Sequence, residues 1–191
     1  MTRSRVISPV VSRRTSINVI NAKEQYTDLD NHADTSVVSP HLALAIHDFE
    51  TPVIISGYKP DVAQETCKTV TAVIAYDAYD GKTYYLIVHH ALLVQDIANN
   101  LLCGMQLRDR GLGVNDEPKS MVSNPTDMHH AIYIPGNTQH GELIIPLTLR
   151  GVTHYFRTRK PSREEYEASD PSYHMELTAS EPAWDPADCL F

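Results

Sequence analysis

The chain has 191 residues, of which 42% are apolar and 21% are charged, a composition that suits one globular domain with a buried core. Its formal net charge of −8 argues against a general nucleic-acid-binding surface. Three widely spaced cysteines exclude a disulfide framework and a zinc ribbon, and no apolar run approaches the roughly 20 residues that cross a bilayer, so we expect a soluble intracellular protein.

The N-terminal part combines a basic stretch with a first strand signal. Residues 1–14 contain four arginines and are expected to form a basic, flexible tail. Residues 16–21, SINVIN, alternate polar and apolar side chains as a half-buried strand does. Folded structure is therefore expected from about Thr15. The LALAI run at residues 42–46 is compatible with a strand or with a helix.

Three runs in the middle of the chain are rich in Val, Ile, Thr and Tyr, the residues that favour strands. They are TPVIIS, KTVTAVIAY and KTYYLIVHHALLV, at residues 51–56, 68–76 and 82–94. The Asp80-Gly81 pair between the last two runs is a strong signal for the turn of a β-hairpin. This part of the chain therefore predicts consecutive antiparallel strands.

A short helix and a change of composition follow these strands. Residues 103–113 predict a helix from about Gly104 to Arg110, which Gly111 terminates. Turn-forming residues dominate between positions 115 and 139, and this range is interpreted as a linker.

The C-terminal part resumes an alternating pattern. Residues 142–161 predict a second hairpin, with Arg150-Gly151 as its turn. A capping box formed by Ser162 and Glu165 marks the start of a second short helix. The final residues, SEPAWDPADCLF, are too polar and Pro-rich to pack alone.

The stretch LDNHADTSVV, at residues 29–38, places two aspartates and a histidine between apolar residues. By itself it is typical of a polar turn between strands, with local amides satisfied by Asn31 and Asp34. It also suits peptide hydrolysis without a metal, which requires two carboxylates that share one proton. Like charges a few ångströms apart cannot both ionise, so one carboxylate acts as a base and the other as an acid.

The same stretch resembles the motif of retropepsin-type aspartic proteases, in which an apolar residue precedes Asp-Ser/Thr-Gly-Ala and Asp-Thr-Ser often follows. In this alignment Asp30 is the catalytic carboxylate after Leu29, and the active-site loop consists of Asn31, His32, Ala33, Asp34 and Thr35. Asp34 begins an Asp-Thr-Ser sequence and is a competitor for the catalytic role. We interpret it instead as a structural residue that accepts hydrogen bonds from the loop or flap backbone.

The resemblance continues in the same order and spacing over residues 15–114. VIISGYKP matches the flap that covers the substrate in these enzymes, and the residues it assigns to the flap and to substrate binding are Ile55, Ser56, Gly57 and Tyr58. NLLCGMQL matches the apolar-apolar-Gly signature before the C-terminal helix, which implies a substrate pocket formed by Leu102, Cys103 and Gly104. Val53 is expected to contribute to the same apolar pockets.

The likeness is greatest to the protease region of copia-like retrotransposon Gag-Pol polyproteins. Residues 115–191 are similar to the connector that follows such proteases, and we expect them to form a C-terminal extension with a β-hairpin. The resemblance implies an all-β fold: a closed, retropepsin-like barrel with one short helix after Gly104.

The resemblance also implies a function and a partner. The chain contains one Asp-bearing loop and no internal repeat, so the second carboxylate would come from a C2 homodimer. The expected activity is that of an aspartic endopeptidase that cleaves its own polyprotein, without a cofactor, a metal ion or a membrane partner. The expected location is the cytoplasm or a virus-like particle.

Two departures from the family motif leave another interpretation open. Asn31 stands where Ser or Thr forms a hydrogen bond across the dimer, and His32 replaces the Gly that lets the substrate backbone approach. These changes are also compatible with a catalytically impaired module that keeps the protease fold for dimerisation or interaction.

A third interpretation, a metal-dependent hydrolase, depends on the pairs His89-His90 and His129-His130, with Asp127 nearby. Adjacent residues on a strand point to opposite faces, so neither pair is suited to chelation through both rings. No HExxH helix is present either. We therefore expect no metal site, and we expect one histidine of the first pair to be buried and the other exposed.

Overall fold

The structure is a computed structural model that describes residues 24–55, 65–137 and 141–187. The predicted basic tail, the predicted strand at residues 16–21 and the flap residues Ser56, Gly57 and Tyr58 lie outside these ranges. None of the helices in the described ranges is long and apolar enough to span a bilayer.

The described residues are mostly β. The strands are β1 (Gln25–Asp30), β2 (Val37–Val38), β3 (Leu44–Ile55), β4 (Glu65–Asp77), β5 (Thr83–Leu93), β6 (Asn100–Cys103), β7 (Gly113–Asn115), β8 (Ala131–Ile134), β9 (Leu143–Pro146), β10 (Thr148–Arg150), β11 (Thr153–Thr158) and β12 (His174–Glu176). The α-helices are α1 (Gly104–Asp109) and α2 (Arg163–Glu167), and single 3-10 turns cover Lys119–Met121 and Pro171–Tyr173.

The strands form two sheets. The larger sheet has the order β10-β11-β1-β6-β2-β5-β4-β3, and β12 pairs in parallel with β5. The smaller sheet has the order β7-β8-β9. Among the described strands the order of the larger sheet is open, with β10 and β3 at its two ends. The mostly β class is therefore confirmed, and the closed barrel stays a prediction.

The predicted hairpin turns are present. Between β4 and β5 the amide of Ala78 donates to the carbonyl of Lys82 at 2.8 Å, and Gly81 adopts a φ of 80°. Gly151, between β10 and β11, adopts a φ of 65°. Both glycines occupy the left-handed region that L residues with a Cβ rarely adopt. The ambiguous run at residues 42–46 enters β3 at Leu44 and is therefore a strand for most of its length.

Both predicted helices are confirmed. Helix α1 begins at Gly104, with Cys103 as its N-cap, and Gly111 follows its end with a φ of 87°. Helix α2 begins after Ser162, whose side chain accepts a hydrogen bond from the amide of Glu165 at 3.1 Å. The Glu165 side chain reaches back to the Ser162 amide and completes the predicted capping box.

The interpretation of residues 115–139 as a linker is wrong in part. The range contains β8, which pairs antiparallel with β7 and with β9. Ile132 and Ile134 of β8 are buried in the main core. The sequence did not indicate this strand, because turn-forming residues flank it and a run of four apolar residues is too short to show a periodicity of its own.

The C-terminal extension and the part of the chain before residue 115 share one sheet and one core. Strand β11 pairs antiparallel with β1, with Leu29 opposite His154, and β12 pairs with β5. Phe156, Met175 and Leu177 are buried in the same cluster as Leu29. Strands β11 and β12 of the extension are thus held by strands that lie far from them in sequence. A boundary between two domains near residue 114 stays a prediction.

A charged network fastens helix α2 to the large sheet. The guanidinium of Arg159 contacts both carboxylate oxygens of Asp77, at 2.8 and 3.1 Å, and both of Glu165, at 2.6 and 2.9 Å. These hydrogen bonds from Arg159 hold the pKa values of both carboxyl groups below their usual range. Paired geometry of this kind makes the network stronger than an ordinary surface ion pair.

Candidate active site

Asp30 is the last residue of β1, and it lies opposite Cys103 of the parallel strand β6. The preceding Leu29 is 3% exposed and belongs to the core, whereas the side chain of Asp30 is 39% exposed. Strand β1 therefore leaves the core between Leu29 and Asp30. This placement leaves the carboxylate accessible to a second molecule.

The carboxylate of Asp30 is oriented by the backbone of its own loop. The amide of His32 donates to Oδ1 of Asp30 at 2.8 Å. The ring of His32 lies farther away, with Nδ1 at 3.9 Å from the same oxygen, and its side chain is 98% exposed. In the single chain, His32 therefore extends into solvent.

The side chain of Asn31 contacts its own chain. Its side-chain amide donates a hydrogen bond to the carboxylate of Asp116, which follows β7. Gly104 lies directly against it, because a Cβ at Gly104 would be 2.6 Å from Oδ1 of Asn31. A residue with a side chain at position 104 would displace the Asn31 amide, so this close approach requires a glycine at position 104.

Two buried polar residues that the sequence analysis did not single out secure the far end of the loop. Oγ of Ser36 accepts from the amide of Cys103 at 3.0 Å, and the amide of Ser36 donates to Oε1 of Gln106 at 2.8 Å. Ser36 and Gln106 are both buried. A lone Gln in the apolar run NLLCGMQL could have pointed to Gln106, since a buried polar group requires a partner, whereas Ser36 had no such signal.

The residues assigned to a substrate pocket lie beneath the loop. Leu102 and Cys103 have no exposed surface, and Gly104 is buried as well. They support the loop from below, because β6 pairs with β1 and continues into α1.

A cleft of about 630 Å³ opens beside the same loop. Asp34 and Thr35 form one side of it, and Val53 and Ile54 of β3 form another. Ile54 is 63% exposed, an unusual position for a large apolar side chain. Phe49, Thr69, His90 and Leu92 complete the lining from the sheet. Ile55, the last residue of β3, is described only by its backbone.

The remaining lining of the cleft comes from the C-terminal segment. Residues 183–186 lie against it, and Nε1 of Trp184 donates to the carbonyl of Asp34 at 2.8 Å. The sequence analysis treated this segment as part of a connector. The indole of Trp184 is therefore a partner of the Asp34 backbone. The expected hydrogen bonds from the loop or flap backbone to Asp34 stay a prediction.

The first histidine pair lies at an irregularity in β5. The pairing of β4 with β5 shifts register between Val70 and Ala72, and His90 adopts a φ of 55°. Such a bulge changes which way successive side chains point. The expectation that one of the two rings is exposed is wrong, because the side chain of His89 is 14% exposed and His90 is 7% exposed. Burial lowers the pKa of His89.

The second histidine pair is divided between two neighbourhoods. His129 contacts Thr126, whereas Nε2 of His130 lies 3.0 Å from Nδ1 of His154. Burial lowers the pKa of His130. Asp127 forms an ion pair with Lys119. Within the described ranges, no three His, Cys, Asp or Glu side chains are grouped so that they could hold a metal ion.

Comparisons with family models, with curated proteins and with solved structures find no match for this chain. The functional interpretation therefore depends on the geometry of the Asp30 loop and its cleft.

Proposed function

We propose that the chain is a retropepsin-like aspartic endopeptidase of a copia-like retrotransposon polyprotein, active as a C2 homodimer. The observation that carries the proposal is the position of Asp30: a half-exposed carboxylate at the end of a buried strand, oriented by a backbone amide. A closed barrel around this site, with a flap over it, is part of the proposal.

The loop around Asp30 has the rigidity that the reaction requires. Catalytic groups must keep their positions to within a fraction of an ångström, and loops do so when buried hydrogen bonds anchor them. Ser36, Cys103 and Gln106 supply such anchors on one side, and the contact of Asn31 with Asp116 supplies another. The cleft beside Asp34 offers room for an extended peptide.

In the proposed dimer, the two Asp30 carboxylates share one proton. The ionised carboxylate accepts a proton from water, whose oxygen bonds to the carbonyl carbon of the peptide. The protonated partner donates its proton to the carbonyl oxygen. The tetrahedral intermediate then breaks its C–N bond: the first carboxyl group returns its proton to the leaving amine, and the second, now ionised, accepts a proton from one hydroxyl group of the intermediate. No cofactor is required, and the substrate is the polyprotein itself.

The experiment that tests the proposal compares wild type with Asp30→Asn on a mixed peptide library analysed by mass spectrometry. We expect the substitution to reduce cleavage about 10²- to 10⁴-fold, because it removes the proton-transferring group. Asp127→Asn is the matched control, since the side chain of Asp127 is 91% exposed and lies in a different loop. Equal cleavage by wild type and Asp30→Asn contradicts the assignment.

A second candidate function is a catalytically impaired interaction module, and one contact favours it. One N–H of the Asn31 side-chain amide is engaged by Asp116 of the same chain, so this donor is not available in this state for a hydrogen bond across a dimer. Sedimentation separates the candidates: a dimer that forms normally but cleaves nothing in the library supports the module, and cleavage that rises with the dimer fraction supports the protease.

A further inference from the structure

After β12, the chain from Leu177 to residue 186 runs along strand β5 toward the Asp30 loop. After β12, the amide of Leu177 donates to the carbonyl of Ile87 at 2.8 Å. Thr178 Oγ1 then accepts from the amide of His89 at 2.7 Å and donates to the carbonyl of His89 at 3.0 Å. The segment is thus aligned with β5 by successive hydrogen bonds to its backbone.

The two histidines of β5 mark the place where the segment turns into the cleft. Nε2 of His90 lies 2.9 Å from the carbonyl oxygen of Ser180. The ring of His90 also stacks on Phe49, with 4.3 Å between the ring centroids. His90 and Phe49 both line the cleft, so the segment enters the cleft beside these two side chains.

Inside the cleft, the segment meets the two elements that the proposed function assigns to catalysis and to substrate binding. Trp184 donates to the Asp34 carbonyl, four residues beyond Asp30. Residues 183–186 share the cleft with Val53 and Ile54 of the strand that leads into the flap. A peptide held between the Asp30 loop and these two residues would have to use this same space.

We propose that Trp184 occupies a side-chain subsite of the peptide cleft, so that the segment 183–186 competes with substrates and the subsite prefers an aromatic residue. This inference rests on the proposed function. The indole suits the subsite through two properties: an apolar ring in a cleft that Val53 and Ile54 also line, and an N–H group that satisfies the Asp34 carbonyl.

Among residues 183–186, the contact with the cleft depends mainly on Trp184. The residues on both sides of it are exposed, whereas Trp184 itself is partly buried. Trp184 is also the single tryptophan of the chain, so its fluorescence reports directly on the subsite. Departure of the segment transfers the indole to water and shifts its emission to longer wavelength.

The test uses the full chain with Asp30→Asn, so that no peptide is cleaved during the measurement. The probe is a fluorescein-labelled peptide with the sequence of residues 180–187, SEPAWDPA. We expect Trp184→Ala to tighten its binding about tenfold in fluorescence anisotropy, because apparent affinity scales with the fraction of molecules whose cleft is open. Tyr79→Ala is the control, as Tyr79 is 97% exposed in the turn between β4 and β5.

Two further measurements keep the proposal falsifiable. A labelled peptide with Ala in place of Trp is expected to bind at least about tenfold more weakly, since a buried aromatic anchor supplies much of the affinity in peptide recognition. An unlabelled peptide with Phe in place of Trp, SEPAFDPA, is expected to shift the emission of Trp184 to longer wavelength. The inference is overturned if the labelled SEPAWDPA peptide binds equally to chains with and without Trp184→Ala. It is also overturned if the emission of Trp184 stays unchanged when SEPAFDPA saturates the chain.

The outcome is separable from that of the proposed function. If the peptide competes with Trp184 while the wild-type chain cleaves nothing in the library, the subsite stands and the protease assignment fails. If the wild-type chain cleaves peptides and Trp184→Ala changes neither KM nor peptide binding, the protease assignment stands and the subsite fails.

Discussion

Asn31 and Gly104 lie in contact where the Asp30 loop passes over the start of α1, and Asp116 completes the group from the other side. This contact gives a physical reason for an amide at position 31. An amide has an N–H donor for the carboxylate and a carbonyl oxygen that fills the space over the glycine. The contacts among these three residues therefore position the Asp30 loop relative to the start of α1.

We expect Gly104→Ala to destabilise the chain by about 1 kcal/mol, because the new Cβ displaces Oδ1 of Asn31 and breaks one hydrogen bond to Asp116. The free energy of unfolding in urea measures this change. Gly141→Ala is the control, since a Cβ there meets no atom within 4 Å and the backbone does not adopt a positive φ.

A double-mutant cycle identifies the cause. In a chain that already carries Asn31→Ala, the displaced group is absent, and Gly104→Ala is expected to cost much less than in wild type. Additive effects of the two substitutions would show that the strain at position 104 comes from another neighbour, such as the Arg108 guanidinium at 3.0 Å.

At the scale of elements, β11 and α2 are fastened to β4 by Arg159, which follows β11. An isolated β-bridge between Ala75 and Arg159 holds the backbone, and the side chain of Arg159 links Asp77 of β4 to Glu165 of α2. The side chain of Arg159 is 37% exposed, so solvent screening reduces what the ion pairs contribute. The hydrogen bonds of the paired geometry carry most of the effect.

We expect Arg159→Met to lower the free energy of unfolding by about 1 to 2 kcal/mol at neutral pH, because two carboxylates lose their charged donor. Arg157→Met is the matched control on the same strand, where an exposed ion pair with Glu24 contributes little. A similar loss of stability in both variants contradicts the role of the network.

The same network predicts a pH dependence. Arg159 lowers the pKa of Asp77 from 3.8 and that of Glu165 from 4.5. A carboxyl group whose pKa is lower in the folded state stabilises the fold above its unfolded pKa, and this stability is lost as the pH falls through the folded pKa. The difference between wild type and Arg159→Met is therefore expected to be constant above about pH 5 and to shrink below about pH 4 in urea titrations. A constant difference down to pH 2 argues against the assignment.

At the scale of the whole molecule, strands from both halves of the sequence pair in one sheet. Strand β1 lies between β6 and β11, and β5 accepts β2, β4 and β12 as neighbours. The small sheet combines β7 with β8 and β9 of the extension. Removal of the extension would therefore expose strand edges and core residues in several places at once.

We expect a fragment of residues 15–114 not to unfold cooperatively, because it lacks the strands that pair with β1, β5 and β7 and the buried side chains of Phe156, Met175 and Leu177. Circular dichroism during heating measures this behaviour. The control is a chain that lacks only residues 1–14. A cooperative transition of the fragment near the midpoint of the control would establish residues 15–114 as an independent domain.

Local elements of this protein were predictable from short stretches of sequence. The turns at Gly81 and Gly151 and the capping box of Ser162 and Glu165 depend on residues a few positions apart. A positive φ, a cap and a hairpin turn are each satisfied within such a distance, so the sequence carries the full physical cause.

The contacts that define the site were decided by the tertiary structure. Leu29 pairs with His154, Asn31 meets Asp116, and Trp184 reaches Asp34, all across long separations in sequence. Nothing in a single stretch selects such a partner, because backbone groups and polar side chains accept many partners of equal chemistry. The choice is made when the apolar faces of distant strands are buried together, and that burial is a property of the whole chain.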